Sequence, residues 1–127
     1  MHAMLNVAIM AARYGGDILV RNIPKLDKLK VEQKGQNDFV SEADLAAERA
    51  IIEVIHRHFP EHSIYAEESG KTGTSDYVWI IDPLDGTTNY IHGFPVFCVS
   101  VALTFKGRIE HGVVYDPLRN ELFTASR

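Results

Sequence analysis

The chain has 127 residues, enough for one domain or a piece of one. Its composition, 46% hydrophobic and 24% charged, is that of a globular chain and excludes disorder and a membrane-embedded fold. A net charge of −4 leaves no basic footprint for direct nucleic-acid binding. The single cysteine, Cys98, has no internal disulfide partner and lies in an apolar run, so a buried thiol in a reducing compartment is expected. The N-terminus is moderately apolar, but Arg13 interrupts it, no basic leader precedes it and no run approaches transmembrane length. A cytoplasmic protein without membrane association is expected.

In chain order, Leu5, Ala8, Ile9, Ala12, Leu19, Val20 and Ile23 recur at helical spacing, and Pro24 stops the pattern. Gly15 and Gly16 in its middle each cost roughly 1 kcal/mol relative to Ala. The helix therefore either kinks there or is closely approached by another backbone. Alternation of Lys28, Lys30 and Glu32 with Leu29 and Val31 predicts a short half-exposed strand, followed by a polar loop over 34–38. Ser41-Glu42-Ala43-Asp44 is a capping-box pattern, and Ala47, Ala50, Ile51, Val54, Ile55 and Phe59 make the buried stripe of a helix ended by Pro60. From spacing alone, Asp44 is either part of the cap or a carboxylate with a further task. His56, His58 and His62 read as solvated side chains rather than a metal cluster, since residues two apart on a helix diverge. A short strand at 63–66 leads to Glu67-Glu68-Ser69-Gly70, a solvated turn, and residues 70–76 read as a surface loop.

Residues 78–81 form a continuous apolar run that fits a strand covered on both faces, with Pro83 ending its ladder. Asp82 and Asp85 follow, and Gly86-Thr87-Thr88 can turn into a helix start with exposed N–H groups. Beyond this stretch, Phe97, Val99, Val101, Leu103 and Phe105 alternate with smaller residues along a long strand. A turn at 106–108, a returning strand at 109–115, a second turn at 116–120 and a strand at 122–125 complete an antiparallel meander. The fold class expected is α+β, with helices packed on a largely antiparallel sheet.

The acidic stretch limits the chemistry. A phosphoaspartate mechanism needs two carboxylates two residues apart, whereas Asp82 and Asp85 are three apart with Pro83 between them. No P-loop pattern occurs. Asp82, Asp85 and the Leu84 carbonyl are oxygen donors suited to Mg²⁺ or Mn²⁺. Two carboxylates about 4 Å apart repel by roughly 4 kcal/mol at an effective dielectric of about 20, so a cluster that included Glu67 would call for a cation.

The segment W-I-I-D-P-L-D-G-T-T-N-Y-I-H-G-F-P resembles the first signature of the inositol monophosphatase family. The resemblance continues in N-D-x-V-x-x-x-D from Asn37 to Asp44, E-E-S-G from Glu67 to Gly70, and V-V-Y-D-P-x-x-N-E-L-F-T-A from Val113 to Ala125. It implies the N-terminal part of a layered αβαβα sugar-phosphatase fold. It also implies Mg²⁺-dependent hydrolysis of a phosphate monoester with water as the direct nucleophile; myo-inositol phosphate is the foremost substrate, and glycerol phosphate and nucleotide monophosphates stay open beside it. By the same resemblance Glu67, Asp82 and the Leu84 carbonyl hold one Mg²⁺, and Asp82 and Asp85 a second. Gly86, Thr87 and Thr88 receive the phosphate, and Thr87 with Asp44 positions the attacking water. Lys34 lies in a loop that closes over the site, and Glu68 stands behind the ligands. A homodimer is implied as well. A bacterial subgroup of the family, to which the opening M-H-A-M-L-N is similar, also serves ribosomal RNA transcription through protein–protein contacts, which gives a competing function.

The family's later W-D-x-A-A-G segment, which brings another aspartate to the second metal, has no counterpart in this sequence. Residues 1–127 are therefore expected to be the N-terminal metal- and phosphate-binding portion of such an enzyme. An incomplete second metal site, an uncovered sheet surface and little activity in isolation are expected to follow.

Overall fold

The computed structural model describes residues 3–36 and 38–127, without the side chains of Asp38 and Val40. Asn37 of the N-D-x-V pattern lies outside the described residues. Helix α1 spans Ala3–Asn22 and runs into a 3-10 turn, Ile23–Lys28, with Pro24 at its start. Contrary to the sequence expectation, the stretch Ala3–Lys28 is long and apolar enough to cross a membrane by length and composition. Its apolar face instead serves the core. Val7, Ala8, Ala11, Ala12 and Leu19 are buried, and α1 packs on helix α2 (Glu42–His58) and strands β6 (Cys98–Phe105) and β7 (Arg108–Asp116). The glycine pair does not break α1. A Cβ on Gly15 would sit 2.7 Å from Ile51 Cδ1, and one on Gly16 would sit 2.6 Å from the Tyr115 ring. The close approach is thus made by side chains of α2 and β7 and not, as expected, by another backbone.

Strands β1 (Val31–Gly35) and β2 (Asp38–Ser41) form a separate antiparallel ribbon. This corrects the sequence reading twice, since the strand starts later than expected and Lys34 belongs to it rather than to a loop. Every residue of β1 is exposed, because nothing but β2 pairs with it. Helix α2 begins where the capping box places it. Ser41 Oγ accepts from Asp44 N–H at 3.3 Å and Ser41 N–H donates to Asp44 Oδ1 at 2.8 Å. Such caps contribute about 0.5–2 kcal/mol.

A six-stranded sheet carries the rest, in the order β4-β3-β5-β6-β7-β8. Strand β3 is Ser63–Ala66, β4 Gly70–Thr72, β5 Tyr77–Asp85 and β8 Glu121–Ser126. β3 and β5 run parallel, and the other described pairings are antiparallel. Three expectations change here. Residues 70–72 are a short edge strand rather than loop. β5 continues through Pro83 to Asp85, because a bulge takes up the proline. Three steps from Asp82 to Asp85 face two from Ser100 to Cys98 on β6, so no ladder bond is asked of the missing N–H. Finally, β5 is covered on one face only. Trp79 and Ile81 are buried under the helices, whereas Ile80 is 42% exposed.

The two helices lie on one face of the sheet. Trp79, Ile51, Ile55, Leu103, Val99 and Val101 are completely or nearly completely buried there, each worth about 1.5–3 kcal/mol on burial. The opposite face exposes Tyr65, Ile80, Val114 and Phe123. His62 is not a solvated side chain. Its ring stacks on Phe59 and on Tyr77, each at 4.7 Å between centroids, and Trp79 Nε1–H donates to His62 Nδ1 at 3.0 Å. Burial lowers its pKa, which favours the neutral ring that this bond requires.

Candidate active site

The bulge in β5 is the local event that builds the site. It buries Pro83 and Leu84, with Asp82 half-buried on one side and Asp85 exposed on the other. Gly86 follows with φ +100°, a left-handed conformation, and a Cβ there would approach Val96 O to 2.9 Å. Only glycine fits that turn without strain. The chain then enters the short helix α3 (Thr87–Ile91), whose first N–H groups have no partner within the helix. Tyr90 anchors α3 to the core by donating its hydroxyl to Leu19 O at 2.6 Å.

One cleft of about 300 Å³ gathers every candidate metal, phosphate and water-positioning residue named above, with Lys34 and Glu68. Lys34 comes from β1, Asp44 from α2, and Glu67 and Glu68 from the turn after β3. Asp82, Leu84 and Asp85 come from β5, and Gly86, Thr87 and Thr88 from the entry to α3. Phe39 and Asn89 also line it, and the sequence reading gave neither a role. Asn89 Nδ2 donates to Val96 O at 3.0 Å and so ties α3 to the segment before β6.

Asp44 belongs to the cap and also meets Thr87. It is only 3% exposed. Its Oδ1 accepts from Ser41 N–H and, at 2.6 Å, from Ser41 Oγ–H, while its Oδ2 accepts from Thr87 Oγ1–H at 3.0 Å. The Thr87 hydroxyl also lies 3.2 Å from Leu84 O. The arrangement fixes the threonine hydroxyl at the mouth of the helix start. Across the cleft, Lys34 Nζ lies 3.0 Å from Glu68 Oε2 and 3.8 Å from Glu67 Oε1. Its cationic head thereby faces the acidic turn.

Asp82 is the most perturbed carboxylate. Burial, followed by the charges of Asp85, Glu67 and Asp44, pushes its pKa up to about 6, and the Leu84 N–H offsets only part of this. Burial and then Asp85, Asp82 and Asp116 likewise raise the pKa of the half-buried Cys98 thiol, which keeps it protonated and unreactive. Among the described residues no three His, Cys, Asp or Glu side chains are arranged to hold one ion as they stand. The donors that do face the cleft are all oxygens, the chemistry that suits a hard divalent cation.

Sequence reasoning missed Glu48. It is buried on α2, and its carboxylate accepts from the Glu68 N–H at 2.9 Å and the Ser69 N–H at 3.0 Å. The signal was available, since Glu48 falls one helical turn after Asp44, beside the apolar stripe of Ala47, Ile51, Val54 and Ile55.

The helices on a mostly antiparallel sheet, with oxygen donors and a helix start at the ends of β3 and β5, are arranged as in phosphatase-type folds. The sequence matches the inositol monophosphatase family over residues 1–127, and the chain belongs to that family. It is similar to Nus factor SuhB of Escherichia coli (strain K12), 54% identical over 129 residues that cover 100% of this chain and 48% of that protein. The crystal structure of extragenic suppressor protein SuhB from Bartonella henselae matches with a TM-score of 0.97 at 44% identity, covering 99% of this chain and 50% of that one. A crystal structure of an IMPase/NADP phosphatase complexed with Mg²⁺ and phosphate matches with a TM-score of 0.73 at 28% identity, covering 84% and 42% respectively. The chain spans about half the length of the curated relatives it matches.

Proposed function

We propose that this chain carries the metal- and phosphate-binding portion of a Mg²⁺-dependent phosphate monoesterase of the inositol monophosphatase type. The observation that carries the reading is the Asp44–Thr87 pair at 3.0 Å, which shares one cleft with Asp82 and Asp85. Glu67, Asp82, Asp85 and the Leu84 carbonyl would hold Mg²⁺, with Mn²⁺ as the alternative ion, and the ion-and-phosphate complex of the related IMPase/NADP phosphatase supports that choice. When bound, such an ion supplies a lowered water pKa and neutralises charge on the leaving oxygen.

The residues of the chain do the rest. Backbone N–H groups of Gly86, Thr87 and Thr88 receive the phosphate oxygens. Thr87 Oγ1, with its own proton held by Asp44, accepts a hydrogen bond from the attacking water and sets its direction toward phosphorus. The proton that the water gives up passes to Thr87 Oγ1 as Thr87 hands its own to Asp44 Oδ2, and the phosphorus–oxygen bond to the polyol breaks. Lys34 covers the acidic turn from the ribbon side. The attack is direct, and no covalent phosphoenzyme forms. The substrate class is a small phosphorylated polyol, with myo-inositol phosphate foremost. Metal binding is measured by titrating Mn²⁺ into the chain, and phosphate release by assays with inositol 1-phosphate, glycerol phosphate and a nucleoside monophosphate. In this chain Asp85→Asn is expected to weaken Mn²⁺ binding by tenfold or more, about the loss seen when a metal ligand's support is removed, and in the full-length enzyme to abolish most Mg²⁺-dependent turnover. Unchanged binding and turnover would refute the assignment.

The similarity to Nus factor SuhB favours a second reading, an accessory factor in transcription that acts through protein–protein contact. The acidic balance of −4 argues against a direct nucleic-acid interface. Retention of transcription elongation proteins by an Asp85→Asn variant that releases no phosphate would establish that reading as a separate function.

A further inference from the structure

The turn that carries Glu67 is held from two sides. Glu67 N–H donates to Ile81 O at 3.2 Å, which ties the turn to β5. The next two N–H groups, of Glu68 and Ser69, go to the two carboxylate oxygens of Glu48 at 2.9 and 3.0 Å. Glu48 is 4% exposed and sits on the core face of α2 with Ala47 and Ile51. A charged group in such a place is costly to bury unless it is fully engaged. Bonds from a carboxylate to backbone N–H groups are among the stronger ones available. Asp44 lies one turn earlier on the same helix, so a single rigid element sets both the Thr87 hydroxyl and the Glu67 turn.

We infer that Glu48 is a positioning residue that fixes Glu67 for divalent-cation binding. This inference rests on the metal reading above. Glu48 does not face the cleft and touches neither substrate nor metal; it acts through the backbone of residues 68 and 69.

The test uses Mn²⁺ titration calorimetry on the chain, with amide exchange at Glu68 and Ser69 followed by NMR. Glu48→Gln is expected to weaken Mn²⁺ binding by about 10–100-fold, the usual cost of losing an outer support, and to speed exchange at both amides. Glu48→Asp keeps the charge but withdraws it by one methylene, and is expected to fall between. Glu53→Gln is expected to change neither readout, because that carboxylate is exposed and, among the described residues, pairs with Arg57 on the same helix. Faster amide exchange in Glu48→Gln with wild-type Mn²⁺ affinity would overturn the inference and leave the metal reading standing. A wild-type chain that binds no Mn²⁺ would overturn both. Should Glu48→Gln fail to fold, Glu48→Asp carries the same comparison, and wild-type affinity there would equally overturn the inference.

Discussion

At Asp82 the fold holds a carboxylate with a pKa near 6, raised first by burial and then by Asp85, Glu67 and Asp44. Because the folded-state value lies above the ordinary 3.8, the folded chain holds this proton more tightly than the unfolded chain does. The associated stability is complete below the unfolded pKa and is lost as pH rises through about 6. In EDTA-containing buffer, wild type should therefore lose stability relative to Asp82→Asn between about pH 4 and about pH 6. Mg²⁺ should recover that loss in wild type only, by binding the folded state. Thermal midpoints measured across the range decide the matter; a pH-independent difference between the two proteins would count against it. Mg²⁺ affinity should fall as pH drops below about 6, since the proton and the ion compete for the same oxygen. Asp44 is the residue whose sequence context hid most. The Ser41-x-x-Asp44 spacing reveals a cap, but only tertiary contact discloses that the second carboxylate oxygen binds Thr87.

Among the elements, α1 and α2 were legible because an apolar stripe at helical period, with a cap and a proline stop, leaves few alternatives. The Gly15-Gly16 pair was readable as a question, and packing answers it. Gly16→Ala would put a methyl 2.6 Å from the Tyr115 ring and 3.1 Å from Pro117 Cβ. Tyr115 cannot readily yield, since its hydroxyl donates to Asn120 and Arg13 lies over its ring at 5.1 Å. Overpacking should cost about 1–3 kcal/mol, against the roughly 1 kcal/mol that alanine returns in helix propensity. A lowered denaturant midpoint at unchanged slope is expected; a raised midpoint would show that the ring can move. β5 was misread at its end because a proline rule assumes a regular ladder, and a one-residue bulge removes that assumption. His62 was misread because helical spacing says nothing of the rings that Phe59, Tyr77 and Trp79 bring from elsewhere.

For the molecule as a whole, the helices cover one face of the sheet and leave Tyr65, Ile80, Val114 and Phe123 exposed on the other. Exposed apolar surface of this kind drives association. The chain should bind an apolar dye and sediment faster at high concentration. Ile80→Thr combined with Phe123→Lys should reduce both effects without altering far-UV circular dichroism; no reduction would place the sticky surface elsewhere. The sheet's antiparallel meander was legible from alternation in the C-terminal third. The membership of the cleft was not legible from spacing, because its residues come from five separate segments, and the family resemblance joined them before the geometry did.

The parallel pairing of β3 with β5 has one more consequence. Ala66 and Ile81 form their last rung, so the two chains leave the sheet side by side, toward Glu67 and toward Asp82. The interval between the two acidic segments is thus ruled by a hydrogen-bonded ladder and not by the number of residues that join them. The joining stretch beyond β4 exposes Thr74, while Ser75 N–H ties it back to Ser63 Oγ at 2.7 Å. Doubling the length of such a loop costs only about 0.6 kcal/mol in closure entropy. A tag or an epitope grafted at Thr74 would inherit the spacing of the carboxylates unchanged.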